Sequence, residues 1–215
     1  MYSLLTHTFQ FNDKTITLLI PDKEAIQTQY LRDKELAVKD PLFVLHEPYW
    51  AKLWPAAIAL CKYIAANTHL IQDKKVYEIA AGLGLPSLLS AHYAAEMHCS
   101  DYHKDAVETM KQSVLQNQLA NVFPSVLDWQ DIPANFKPEV LLLSDVNYAP
   151  DAFSILQQLI QQLLQRETLI ILSTPQRLVA KTFITPLLEY CKHSENYSIV
   201  VDGVTWETSV FVLQQ

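Results

Sequence analysis

Residues 76–86 read Val76-Tyr77-Glu78-Ile79-Ala80-Ala81-Gly82-Leu83-Gly84-Leu85-Pro86, and this stretch decides the fold. A short apolar run carrying an acid gives way to a glycine pair, and Pro86 opens a helical pattern. Only three glycines occur among the 215 residues, and two of them stand here. Glycine at a strand-to-helix turn permits a tight bend and lets a ligand approach the backbone closely. The helix N-terminus beyond it offers free N–H groups to a negative group such as a carboxylate. The competing reading is an ordinary strand-to-helix turn.

Working outward, short apolar runs recur at residues 76–80, 97–100, 122–127, 140–143 and 169–172. Helical patterns occupy residues 86–93, 104–118, 152–164 and 178–190. Strands separated by helices of this length predict parallel βα units with right-handed crossovers. Residues 197–201 and 209–213 flank Asp202-Gly203 with no helix between them, so they are expected to pair antiparallel. Upstream, residues 8–11 and 14–20 around Asn12-Asp13 predict a β-hairpin, and Pro21-Asp22 opens a polar helix to about Glu35. Residues 41–54 read as irregular or one-turn helix, and Pro55 suits the first turn of a helix to about Ala66. The expected fold is α/β: a Rossmann-like, seven-stranded, mostly parallel sheet with a C-terminal antiparallel hairpin and helices on both faces. Residues 1–215 are read as a single domain, with 1–46 as a small hairpin-and-helix extension and 47–215 as the core.

Composition narrows the function. Half the residues are hydrophobic and 18% are charged, which excludes a disordered chain. The net charge of −7 argues against a protein held on nucleic acid through phosphates, and an acidic body suits a basic partner such as a lysine-bearing protein. Cys61, Cys99 and Cys191 form no Cys-x-x-Cys pair, and the histidines form no metal-ligand spacing, so no metal site is expected. Free thiols, no signal-like N-terminus and no apolar run of spanning length point to a cytoplasmic protein without membrane attachment. Nothing in the sequence demands more than a monomer.

The loop selects its cofactor. Dinucleotide loops follow G-x-G-x-x-G, whereas Ser87 stands at the third glycine position here. The methyltransferase pattern is E-x-G-x-G-x-G; Glu78, Ala80, Gly82 and Gly84 keep its spacing, with Ala80 departing from the first glycine. An anionic Glu78 suits the ammonium and sulfonium charges of S-adenosylmethionine and would repel a pyrophosphate. Asp101, at the end of the second strand of the alternation, suits both ribose hydroxyls, or else caps the next helix. Asp128 is placed to accept from the adenine amino group and Trp129 to offer a flat face, unless they are a solvated carboxylate beside a packed ring. Asp145 and Tyr148 close the fourth strand of the alternation, where the carboxyl ends of strands meet a ligand crevice. Val146 and Asn147 replace the prolines of the [ND]-P-P-[YF] motif of nucleobase and glutamine methyltransferases. A carboxylate and an aromatic ring suit a cationic amine instead, and helix capping by Asp145 is the alternative.

With these residues the chain resembles the seven-β-strand protein-lysine methyltransferases, methyltransferase family sixteen. The likeness runs from about Glu47 onward, some three quarters of the chain. It rests on Trp54-Pro55-Ala56-Ala57, the loop from Glu78 to Pro86, Leu127-Asp128-Trp129, Asp145-x-x-Tyr148 and Trp206-Glu207-Thr208. It implies that Trp54 packs on the methionine end of S-adenosylmethionine, lined by Gly82 and Gly84. It also implies that Asp101 binds ribose, Asp128 and Trp129 hold adenine, and Asp145 and Tyr148 border the acceptor channel.

Three readings of function follow. Methylation of a protein lysine leads, with Asp145 orienting the amine or helping to remove its proton. In the second, Tyr49, Trp50 and Trp54 wall a closed pocket for a small-molecule acceptor. The third is a module that binds the cofactor without catalysis, for which Ala80 is the one hint. The acceptor, its residue type and the number of methyl groups are not readable from the sequence.

Overall fold

The computed structural model describes residues 2–40, 42–133 and 135–215; Pro41, the start of the segment expected to be irregular, lies outside them. Chain order gives β1 (Leu4–Phe11), β2 (Lys14–Pro21), α1 (Lys23–Lys39), α2 (Pro55–Ala66), β3 (Lys75–Ile79), α3 (Leu85–Ser90) and β4 (Glu96–Asp101). Then follow α4 (Lys104–Gln116), β5 (Val122–Val126), β6 (Val140–Ser144), α5 (Phe153–Leu164), β7 (Leu169–Pro175), α6 (Leu178–Ile184), β8 (Cys191–Val201) and β9 (Val204–Leu213).

The expected sheet is present. Its seven strands run β5-β4-β3-β6-β7-β9-β8, and the pairs from β5 to β7 are all parallel. β9 inserts antiparallel between β7 and β8. Asp202 and Gly203, the two residues of the β8–β9 turn, both have positive φ, as a type I′ turn requires. The chain winds outward in one direction from β3 and in the other from β6, so the switch point lies between these neighbours. Their carboxyl ends therefore frame the expected crevice.

Alternate side chains of the central strands feed two cores, which is why these strands read as continuous apolar runs. Val140, Leu142, Leu169 and Ile171 join the core under α2 and α4, whereas Leu141, Leu143, Ile170 and Leu172 join the core under α5. Leu156, Ile160, Leu163 and Leu164 supply the buried stripe of α5.

Several boundaries differ from expectation: β1 starts at Leu4 rather than residue 8, α1 runs to Lys39 rather than Glu35, and β9 starts at Val204 rather than residue 209. β8 starts at Cys191 rather than residue 197, because its polar residues 192–196 lie along a solvated edge paired only with β9. The helix expected over 178–190 ends at Ile184 and continues as a 3₁₀ helix over Thr185–Tyr190. Pro186 there has no N–H, so the α-helical hydrogen-bond ladder loses a donor at that point. The N-terminal hairpin is built into the core: Ile16 and Leu18 are fully buried, and Asn117 of the α4 C-cap donates to the Thr17 carbonyl and accepts from its N–H.

Candidate active site

At the switch point lies a cleft that opens to solvent. Its floor is the turn after β3. Ala80 and Gly82 have φ of +52° and +55°, so the turn bends left-handed at both. A Cβ on Gly82 would stand 3.3 Å from the Trp50 carbonyl oxygen, so only glycine lets the Trp50 segment press on the loop. Ala80 adopts the same geometry with a methyl group, a conformation that disfavours an L-residue by roughly 1–2 kcal/mol. The departure from the glycine pattern is thus held as strain, with the bend itself retained.

Trp54, Ala80, Gly82, Gly84, Asp101, Trp129, Asp145 and Tyr148 all line this cleft. Asp128 lines an adjoining recess that shares Ala80, Tyr102, Trp129 and Tyr148 with it. Glu78 lines neither. It is buried beneath the turn, where Oε2 accepts from the Ser87 N–H at 3.0 Å and from the Ser87 hydroxyl, while Oε1 has no partner. Burial pushes its carboxyl up to about 8 against the opposing effect of the Ser87 donors. The expected row of free N–H groups at the next helix is reduced. In the first turn of α3, Pro86 has no N–H and the Ser87 N–H is spent on Glu78.

Asp101 grips both sides of the cleft. Its Oδ2 accepts from the Gly82 N–H and its Oδ1 from the His103 N–H, each at 2.9 Å. Burial raises its pKa, and these two backbone donors pull it back down. The cap of α4 is His103, whose Nδ1 accepts from the Asp105 N–H at 3.2 Å, so the capping alternative for Asp101 falls away. Burial lowers the His103 pKa, which suits a neutral ring in that role, and the ring stacks on Trp50 at 5.1 Å. Asp128 uses Oδ1 to cap the short turn at Trp129–Asp131 through the Gln130 N–H.

At the other end, Tyr49 packs edge-on against both Tyr148 (5.3 Å) and Trp54 (6.1 Å). Asp145, with φ +53°, is buried, and each of its carboxylate oxygens accepts a hydrogen bond from the Arg177 guanidinium at 3.0 Å. Burial raises the Asp145 pKa, while Arg177 and then Lys52 lower it. The guanidinium lies between the rings of Trp54 (6.0 Å) and Trp206 (5.9 Å), and the Lys52 ammonium sits 4.7 Å from the Trp54 ring. Such contacts with ring faces are attractive to cations. Burial also pushes the Tyr148 phenol up to about 12, which keeps it neutral and able to donate.

Sequence reasoning missed Arg177 and Lys52. Arg177 had a usable signal, since it follows the carboxyl end of β7 within two residues, where side chains meet the crevice. Lys52 lies in an irregular segment with no periodicity to read. Among the described residues, no group of three His, Cys, Asp or Glu is placed to hold a metal ion. Among those residues, no helix is long and apolar enough to cross a membrane.

Known proteins were compared with this geometry. Histone-arginine methyltransferase METTL23 of Mus musculus is 30% identical over 129 residues, covering 57% of this chain and 51% of that protein. Protein N-lysine methyltransferase METTL21A of Xenopus tropicalis is 28% identical over 132 residues, covering 59% and 61%. The aligned part thus spans about half the length of the first of these relatives. Among solved structures, the tRNA (uracil-54, C5)-methyltransferase of Pyrococcus abyssi, in complex with S-adenosyl-L-homocysteine, superposes with a TM-score of 0.56 at 11% identity. That match covers 97% of this chain and 44% of the other, and shows the shared fold. The family model described as lysine methyltransferase matches residues 46–190, a span that includes Trp54, Asp101, Asp145 and Arg177, and the chain belongs to that family.

Proposed function

We propose that this chain, acting as one methyltransferase domain over residues 1–215, transfers a methyl group from S-adenosylmethionine to a lysine side chain of a protein. S-adenosylmethionine supplies a methyl group made electrophilic by its sulfonium. The residues present fit it in their chemistry: Gly82 and Gly84 line the cleft, Asp101 has further lone pairs there for hydroxyl donors, and Trp129 with Asp128 in the adjoining recess offers a flat face and an acceptor suited to adenine. In this reading Trp54 and Ala80 complete the lining, and Glu78 holds the turn from below.

The observation that carries the lysine reading is that Asp145, the acid at the acceptor end of the cleft, already has both oxygens paired with a cation. Asp145 is paired with Arg177, Asp101 with two backbone N–H groups, and Asp128 with one. A guanidinium keeps its charge in proteins and would need a free carboxylate, whereas an amine enters an aromatic channel readily once neutral. Tyr49, Trp54 and Tyr148 form such a channel. The amine lone pair forms the new N–C bond as the C–S bond breaks, its electron pair passing to sulfur. The methylated nitrogen then carries the positive charge and releases a proton to solvent. The protein contributes mainly alignment, worth up to roughly 7–11 kcal/mol in favourable intramolecular cases.

An acidic chain of net charge −7 favours a basic protein surface over nucleic acid as partner. Free Cys61, Cys99 and Cys191 suit the reducing cytoplasm. A second reading, arginine methylation, draws on the name of the METTL23 relative.

The test begins with calorimetry of S-adenosylhomocysteine, with NAD in a parallel titration. Saturable binding of the former alone is expected, and silence toward it removes the cofactor assignment. Tritiated S-adenosylmethionine with heat-treated cell-extract protein should then give labelled methyl-lysine on hydrolysis. Labelled methylarginine would replace the acceptor, and a low-mass product would replace the substrate class.

A further inference from the structure

The acceptor end of the cleft holds more positive charge than a site for a cationic lysine should. An unpaired buried carboxylate beside an incoming amine would favour its ammonium form, which has no lone pair to attack with. Asp145 is such a carboxylate by position, with only 4% of its side chain exposed. Its charge is met from three elements. Arg177, after β7, takes both oxygens; Trp206 of β9 backs the guanidinium; and Lys52, before α2, adds a second cation over Trp54. Tyr49 and Tyr148 face the same space with their rings, and Asp101 and Tyr102 border it from the end of β4. The bidentate geometry fixes the carboxylate plane, which a point-charge contact would not do.

We propose that Arg177 cancels the charge of Asp145 at the acceptor mouth, so that the cleft receives the lysine amine in its neutral, nucleophilic form. Arg177 acts through Asp145 and is a positioning residue. The inference rests on the lysine reading above and deepens it. It resolves the conflict between an acid that would hold the ammonium and a reaction that needs the free amine.

The test is the pH dependence of single-turnover methyl transfer, with enzyme in excess, from tritiated S-adenosylmethionine to heat-treated cell-extract protein between pH 6 and 10. Arg177→Gln should move the midpoint of the rising limb up by about one unit, slowing transfer roughly tenfold near pH 7 while approaching the wild-type rate at pH 10. Arg177→Lys, which keeps the charge, should restore most of the shift. The double variant Arg177→Gln with Asp145→Asn should return the midpoint toward wild type, because no uncompensated anion remains. Binding of S-adenosylhomocysteine by each variant shows that it is folded. A midpoint unmoved in Arg177→Gln, or a rate lowered equally at every pH, overturns the proposal. So does a faster variant, which would make Arg177 a plug in the channel. If the wild-type protein labels no lysine at any pH, the lysine reading fails first and this inference falls with it.

Discussion

Ser87 donates both its backbone N–H and its hydroxyl to one oxygen of Glu78, leaving the other oxygen of that buried carboxyl without a partner. The pairing ties the start of α3 to the end of β3 beneath the loop, and it has a signature in pH. The folded protein holds the Glu78 proton up to about pH 8, whereas an unhindered carboxyl releases it near 4.5. Folded-state proton binding therefore exceeds unfolded-state binding between those values. Stability falls as pH rises through that window, by up to about 1.4 kcal/mol per unit, and levels off above it. Glu78→Gln should flatten this decline. Urea denaturation at intervals from pH 5 to 9 will compare the two slopes, and parallel curves would show that Glu78 is not the group responsible.

Ala80→Gly should stabilise the protein. Relief of the left-handed strain, roughly 1–2 kcal/mol, outweighs the extra chain entropy of glycine, roughly 0.5–1 kcal/mol. A net gain of about 0.5–1 kcal/mol is expected in chemical denaturation. A loss would mean that the Ala80 methyl group makes contacts worth more than the strain.

Gly82→Ala should act on binding. The added methyl group meets a backbone carbonyl at 3.3 Å, and the φ of +55° gives it no relaxed alternative. The loop must shift away from Trp50, and affinity for S-adenosylhomocysteine should drop about tenfold or more, equivalent to about 1.4 kcal/mol. Calorimetry reads this directly; an unchanged Kd would place the cofactor away from the turn.

Asp101→Asn should damage the same site by another route. With both oxygens of Asp101 accepting from backbone N–H groups, an amide must point its NH₂ at one of those donors. Leaving a buried donor unmatched costs roughly 1–3 kcal/mol. Loss of both thermal stability and S-adenosylhomocysteine binding is expected. A variant with normal stability and weakened binding would instead confine Asp101 to the ligand.

The sheet was legible because its central strands are buried on both faces, so residues 140–143 and 169–172 stand out as unbroken apolar runs between amphipathic helices. The polar start of β8 was not, since an edge strand needs no apolar side chains there and its identity comes only from pairing with β9. The hairpin was seen, but its burial was not: Asn117 fastens to Thr17 across a hundred residues, a pairing no local pattern encodes. Eight of the ten singled-out residues line the cleft: seven lie at or just after strand ends, which announce themselves in sequence, and Trp54 was marked by the family resemblance. The raised pKa of Glu78 was hidden because it depends on how completely α3 and its neighbours exclude water. The role of Arg177 was hidden because it depends on where the residues following β7 turn relative to Asp145.

The insertion of β9 between β7 and β8 also sets an order of assembly. Strands β3 to β5, which present Gly82, Asp101 and Asp128, have their sheet partners as soon as the chain reaches β6. β7, buried along its whole length, keeps a bare edge until residues 204–213 arrive, and β8 has no partner before then. Trp206, which backs Arg177, comes with that same strand. A growing chain therefore completes the half that grips the methyl donor before the half that receives the acceptor, and a nascent protein halted between them would present an apolar strand edge to other chains.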